Sequence, residues 1–171
     1  MTSPSPTAGA PGNSSPTPPP TTPAESALVA AAQDALAAEL QAAWGYPVLG
    51  PRLADPAQIG LARAADDAHA TTVVTLRATL VGLGRTPVAP AADYALPSPV
   101  TTPEQAVAYA VTLEQACAAA WRFVVVRGGD GTDVAGLKAT AVDALAVTAV
   151  RAARWRAVVT PDSPTVAFPG T

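Results

Sequence analysis

The sequence predicts an all-α protein, a bundle of four helices with one long crossover between the second and third helices. Alanine is the commonest of its 171 residues, and 49% of the chain is hydrophobic although only 5% is aromatic. Because alanine has the highest intrinsic helix propensity, this composition favours helices over strands. Repeated helix-start signals and apolar residues spaced by three and four positions then indicate where the helices lie.

The chain divides into a tail and one domain. Residues 1–21 consist mainly of Pro, Ser, Thr and Gly and carry no acidic or basic side chain. Such a segment buries too little apolar surface to offset the entropy lost on ordering, so we predict a disordered Pro-rich tail. Residues 22–171 have the length of a single domain with one core.

Three short stretches carry the same helix-start signal, at Thr22–Glu25, Asp55–Gln58 and Thr102–Gln105. Each begins with a capping side chain, continues with Pro at the first helical position and has Glu or Gln at the third. A fourth start, at Thr132-Asp133, follows a glycine-rich turn and is less distinct. The predicted helices are 23–49, 56–83, 103–127 and 133–156. Pro47 is expected to kink or shorten the end of the first helix.

The connection between the second and third predicted helices, residues 84–101, is too long for a tight turn. Four prolines interrupt it, so no helix is expected there. Its length suits a crossover from one end of a bundle toward the other, which is the feature of ferritin-like bundles. The sequence therefore predicts that residues 22–171 form a ferritin-like four-helix bundle.

One apolar seam runs the length of the second predicted helix. Its members, spaced by three and four residues throughout, are Ile59, Ala62, Asp66, His69, Val73, Leu76, Leu80 and Leu83. Two polar side chains, Asp66 and His69, lie in the middle of this seam. Burial of polar groups is unfavourable unless they are paired or bind a ligand, so this pair is the strongest functional indication in the sequence.

Two interpretations of that pair remain open. Two-metal sites in helix bundles use a carboxylate from each of two helices and a Glu-x-x-His pair from each of the other two. Glu39, Asp66, His69 and Glu114 fit that pattern, whereas Asp143 has alanine where the second histidine belongs. The metal interpretation predicts iron or manganese at a mononuclear or degenerate site. The alternative is a buried polar network that sets helix register without a cofactor.

Charge and composition exclude several classes of function. The net charge of −3 and a charged fraction of 13% leave no basic surface for nucleic acid. Acidic residues interrupt the apolar helices, so no membrane span is predicted, and without a signal-peptide pattern we expect a cytoplasmic location. The single cysteine, Cys117, is expected to be a small core residue. Arg151, Arg154 and Arg156 are expected to complement the dipole of the last helix.

A set of short motifs resembles one protein family. They include Ala38-Glu39, Ala68-His69, Leu113-Glu114 with Cys117 to Trp121, the run from Ala149 to Arg156, and the closing Ala167-Phe168-Pro169-Gly170. Together they resemble the ferritin-like domain-of-unknown-function family of high-GC bacteria (domain of unknown function 4439). The resemblance implies a ferritin-like bundle and no known activity. Leu40, where this family leads one to expect histidine, removes a polar group.

The sequence supports one leading function and one alternative. The leading hypothesis is a non-catalytic bundle that associates with itself, most simply as a dimer, because the first and third helices are apolar beyond one stripe. The alternative is a metal-binding protein with oxidase-type chemistry, its ligands Glu39, Asp66, His69 and Glu114. Whether the protein is an enzyme is left undecided by the sequence.

Overall fold

Four long helices form the protein in the computed structural model, which describes residues 22–129 and 133–170. They are α1 (Pro23–Leu49), α2 (Pro56–Gly82), α3 (Pro103–Arg127) and α4 (Leu137–Val159), with a 3₁₀ turn at Gly50–Arg52 after α1. All regular structure in the described ranges is helical, which confirms the predicted all-α bundle. None of these helices is long and apolar enough to cross a membrane. The predicted tail, residues 1–21, lies outside the described residues.

The first three helices begin where their capping signals predict, and their ends lie within one residue of the predicted ends. Thr22 and Glu25 form a reciprocal capping box, in which each side chain accepts a hydrogen bond from the backbone N–H of the other. Thr102 and Gln105 form the same box at the start of α3. The helix α1 continues through Pro47 to Leu49, so this proline does not shorten it.

The fourth helix begins at Leu137 and not at residue 133, and it ends at Val159 and not at residue 156. The late start has a backbone cause, because Ala135 and Gly136 have φ angles of 54° and 69° and so lie in the left-handed region. Asp133 still caps the helix, since its Oδ1 accepts a hydrogen bond from Lys138 N at 2.8 Å. Thr132, the other predicted capping residue, lies outside the described residues.

The helix α1 is central to the packing, because it contacts both α2 and α3, and α3 in turn packs against α4. Alanines on α1 that are fully buried allow the neighbouring backbones to approach closely: Ala31, Ala32, Ala35 and Ala42. The helices α2 and α4 are not packed closely against each other, and a groove runs between them. The bundle thus has three packed sides and one open side.

The connection after α2 runs along α1. The side-chain amide of Gln33 on α1 makes two hydrogen bonds with this connection: it donates to Thr86 O and accepts from Val88 N, each at 2.8 Å. Further along, the rings of Tyr94 and Trp44 lie 5.5 Å apart. Since Gln33 and Trp44 are 11 positions apart on α1, the connection travels about 16 Å along this helix. This confirms the crossover, because α2 and α3 both begin beside the C-terminal end of α1.

Two helical glycines should respond oppositely to replacement by alanine. At Gly45 a Cβ would lie 2.6 Å from Leu113 Cδ1, inside the contact between α1 and α3. Nothing lies within 4 Å of a Cβ at the exposed Gly60. We expect Gly60→Ala to raise the free energy of unfolding by about 0.5–1 kcal/mol. We expect Gly45→Ala to lower it by about 1–3 kcal/mol through overpacking. Urea denaturation measures both, and a stabilised Gly45→Ala variant would contradict the close contact.

Candidate functional site

A network of buried polar side chains joins all four helices at the centre of the bundle. Its members are Glu39 and Tyr46 on α1, His69 on α2, Glu114 and Trp121 on α3, and Thr148, Arg151 and Trp155 on α4. The two carboxylates and the imidazole are at most 1% exposed to solvent. We refer to these eight residues as the central network.

His69 lies between the two carboxylates. Its Nδ1 is 2.6 Å from Glu39 Oε2, and its Nε2 is 3.1 Å from Glu114 Oε1. Each ring nitrogen has to donate a proton to a carboxylate oxygen, so the geometry favours the imidazolium. Burial alone would lower the pKa of His69, but the hydrogen bonds and charges of Glu114 and Glu39 outweigh it and raise this pKa to about 9.

Glu114 accepts more hydrogen bonds than any other member of the central network. Arg151 Nε donates to both of its oxygens, each at 3.0 Å, and the Tyr46 hydroxyl donates to Oε1 at 2.6 Å. Burial would raise the pKa of Glu114, but the His69 hydrogen bond and the charges of His69 and Arg151 outweigh burial and lower it. Arg151 also donates through Nη2 to Thr148 Oγ1 at 3.2 Å.

Two indole N–H groups complete the central network. Trp121 Nε1 donates to Glu39 Oε1 at 2.6 Å, so both oxygens of this carboxylate are bonded. Trp155 Nε1 donates to the Tyr46 hydroxyl at 2.9 Å. Burial, followed by the negative charge of Glu114, raises the pKa of Tyr46 far above its ordinary value. The phenol therefore stays protonated and continues to donate to Glu114.

The charges of the central network balance. Glu39 and Glu114 contribute two negative charges, and protonated His69 and Arg151 contribute two positive charges. A buried ion is tolerated when it is paired and its remaining hydrogen-bonding sites are satisfied. Here the side chains of the central network meet both conditions for one another.

The structure brings together three of the four predicted metal ligands, Glu39, His69 and Glu114. Asp66 lies elsewhere: it is half-buried, on the wall of a separate pocket beside Arg63 and Pro47. Desolvation, followed by the charge of the neighbouring Asp67, raises the pKa of Asp66. The side chain that completes the cluster is instead Arg151.

The sequence predicted that Arg151 complements the dipole of the last helix, and its position in the core corrects this prediction. Thr148 and Arg151, three residues apart, face the centre from α4, where a two-metal bundle would place its second Glu-x-x-His pair. Asp143, the residue weighed for that role, is exposed at the edge of the groove between α2 and α4. The inward stripe of α4 could have identified Arg151, because Ala141, Thr148, Arg151 and Trp155 share one helical face.

The residues at the centre do not fit the two-metal arrangement. Arg151 bonds both oxygens of Glu114 and already supplies a positive charge on the α4 side. With Asp66 on the wall of another pocket, no second carboxylate–histidine set is available around this position. The central network therefore holds a guanidinium where that arrangement would need metal ligands from α4.

The fold and the site define a class: a four-helix bundle whose helices are joined by a charge-balanced network in the core. Residues 31–171 match the family described as "Domain of unknown function (DUF4439)", and the chain belongs to this family, as the sequence motifs predicted. The chain is similar to the crystal structure of a conserved hypothetical protein, rv2844, from Mycobacterium tuberculosis. The two share 34% identity and a TM-score of 0.70, over 78% of this chain and 97% of that chain. No curated protein matches.

Stability should fall as the pH rises through the mildly alkaline range. The pKa of His69 is 6.5 unfolded and about 9 folded, so the fold binds this proton more tightly. The stabilisation is fully present below pH 6.5 and is lost as the pH approaches 9; it amounts to about 3 kcal/mol. Urea denaturation between pH 6 and 8.5 measures it, since Cys117 and Tyr46 contribute only at higher pH. His69 is the only histidine, so a His69→Gln variant with the same slope would refute this assignment.

Removal of the buried guanidinium should destabilise the bundle far more than removal of an exposed one. Arg151→Met leaves Glu114 buried with one positive partner fewer, and we expect a loss of about 3–5 kcal/mol. Arg77→Met is the matched control, because Arg77 is exposed in the middle of α2 and its loss should change stability by less than about 0.5 kcal/mol. Equal effects of the two variants in urea denaturation at pH 7 would show that the buried pair contributes nothing special.

Proposed function

We propose that the protein is a non-catalytic helical bundle that acts by associating with a second copy of itself. The observation that carries the non-catalytic part is the saturation of the central network. Its carboxylates and imidazole bond one another, and each is at most 1% exposed. General acids, bases and nucleophiles have to reach a substrate, and these groups are all directed toward each other.

A second apolar stripe on α4 supports association. It lies opposite the side that carries Arg151 and Trp155, and its members, all exposed except the half-buried Ala153, are spaced by four, four, three and four residues. They are Val142, Ala146, Val150, Ala153 and Ala157. Val142 and Val150 are 49% and 52% exposed. We call this set the outer stripe; it has the spacing of a helix–helix contact and contains no charged residue.

The charges beside the outer stripe favour pairing with an identical helix. Asp143 and Arg154 are both exposed and lie along the same edge of the stripe. In an antiparallel pair related by a two-fold axis, positions on one edge face positions on the same edge of the other copy. With the axis near residues 148 and 149, Asp143 of one copy faces Arg154 of the other. The surface is thus complementary to itself in both polarity and charge.

Metal binding with oxidase-type chemistry is the second candidate function, and the ligands that the sequence predicts for it are Glu39, Asp66, His69 and Glu114. One observation favours metal binding in a different form: the side chains of Glu39, His69 and Cys117 converge in the core. Oxidase chemistry at a two-metal site has no such support, because Arg151 takes both oxygens of Glu114. Iron and manganese remain the metals that this candidate would predict.

The test of association is a charge placed in the outer stripe. We expect Val150→Glu to abolish the dimer, because a carboxylate from each copy would then be buried in the apolar centre of the contact, near the two-fold axis. Sedimentation equilibrium over a concentration series measures the dimer of the unaltered protein and its loss in the variant.

The matched control is Val74→Glu on α2. Val74 is 68% exposed but lies away from the outer stripe, so this variant should dimerise like the unaltered protein. A monomeric unaltered protein at the highest concentration would end the proposal. Equal dissociation of both variants would move the interface away from α4.

A further inference from the structure

Three potential metal ligands from three helices meet in the core; two of them, Glu39 and His69, belong to the central network, and Cys117 lies next to it. One ligand atom each from Glu39, His69 and Cys117 lies within 4.8 Å of the other two, and all three side chains are buried. Cys117 is fully enclosed at 0% exposure. This set differs from the quartet predicted from sequence, because it lacks Asp66 and Glu114 and includes a thiol.

Two protons accompany the Glu39 carboxylate in this cluster, one on His69 and one on Cys117. His69 Nδ1 donates to Glu39 Oε2 at 2.6 Å, and the Cys117 Sγ lies within 4.8 Å of a ligand atom of each of these two side chains. Burial, followed by the charges of Glu39 and Glu114, raises the pKa of the Cys117 thiol well above its ordinary value. Two protonated groups, the imidazolium of His69 and the thiol of Cys117, therefore lie close to the Glu39 carboxylate.

A divalent cation can replace those two protons without changing the buried charge. Binding removes one proton from the thiol and one from Nδ1 of the imidazolium, and both leave to solvent. The cation then carries two positive charges against the thiolate and the Glu39 carboxylate, with His69 neutral. Metal ligands are deprotonated in this way in general. The pair formed by Glu114 and Arg151 is unaffected, so the core stays neutral in both states.

The surrounding hydrogen bonds already orient the three ligands. With a metal on Nδ1, the Nε2–H of His69 continues to donate to Glu114, which fixes the tautomer that a ligand needs. Trp121 holds Oε1 of Glu39 and leaves Oε2 toward His69. Bonds of this kind from a second layer of residues are typical of metal sites and raise their affinity.

We propose that Glu39, His69 and Cys117 form a site for one thiophilic divalent cation of the zinc class. A thiolate with an imidazole and one carboxylate favours zinc or cobalt over manganese, which prefers oxygen ligands. Three protein ligands satisfy most of a tetrahedral sphere. The groove between α2 and α4 supplies the route of entry, because Glu39 and Trp121 line its floor.

The test uses Co²⁺ as a spectroscopic probe for this site in the full-length protein. Purified protein, treated with chelator and reducing agent, is titrated with Co²⁺ while the sulfur-to-cobalt charge-transfer band in the near ultraviolet is recorded. We expect the band to saturate at one equivalent and to disappear when Zn²⁺ is added in the same amount. Failure to develop the band would overturn the proposal.

Two variants assign the ligands. Cys117→Ser should lose the band because it removes the only thiol of the chain, and circular dichroism checks that the variant keeps its helices. Asp66→Asn, on the wall of the other pocket, should bind Co²⁺ as the unaltered protein does. Loss of binding in Asp66→Asn would instead favour the quartet predicted from sequence. Because Val150 is exposed and is not one of these ligands, Val150→Glu should keep the band even if it is monomeric.

Discussion

The buried charge balance is the constraint on which the rest of the structure depends. Two carboxylates in a dry core are strongly unfavourable unless two cations accompany them. Each of the four helices supplies one of these charged groups, namely Glu39, His69, Glu114 and Arg151. No helix can therefore shift in register without leaving a charge unpaired. The buried alanines contribute little to fixing this register, because their side chains are small, and the leucines and aromatic residues of the core supply the larger packing contacts. The polar contacts of the central network therefore select one register of the helices relative to one another.

The composition of the core follows from that constraint. Long polar side chains reach across the bundle only where the helices are close, and the buried alanines of α1 permit this approach. The volume that alanine leaves unfilled is taken by Trp121 and Trp155, which are both fully buried. Each indole also donates its N–H to the central network. The sparse aromatic residues thus fill space and satisfy acceptors at the same positions.

The helix starts were predictable from the sequence because capping is local chemistry. A box such as Thr22 with Glu25 depends only on residues three positions apart. The start of α4 was misplaced because the left-handed backbone at Ala135 and Gly136 is not encoded by a capping pattern.

His69 was predictable as a core residue from apolar spacing, and Glu39 and Glu114 were candidates from the pattern of a metal site, but the contact with Arg151 was not predictable. Asp66 falls three positions from His69, about 60° around the helix, which is enough to turn it toward another pocket. Arg151 was missed because its acceptor, Glu114, is 37 residues away in the sequence. No local pattern records such a pair.

Two surfaces of the bundle differ in how stable they are in contact with water. One is the groove on the open side between α2 and α4, and the other is the outer stripe of α4. Four threonines on the α2 wall of the groove, Thr71, Thr72, Thr75 and Thr79, donate to carbonyls of their own helix. That wall therefore satisfies its own polar groups and remains stable in contact with water. The valines of the outer stripe cannot be satisfied by hydrogen bonds within their own helix, because exposed apolar surface is stabilised by contact with other apolar surface. A second helix is accordingly expected on the outer face of α4, and the groove is expected to stay open to small solutes.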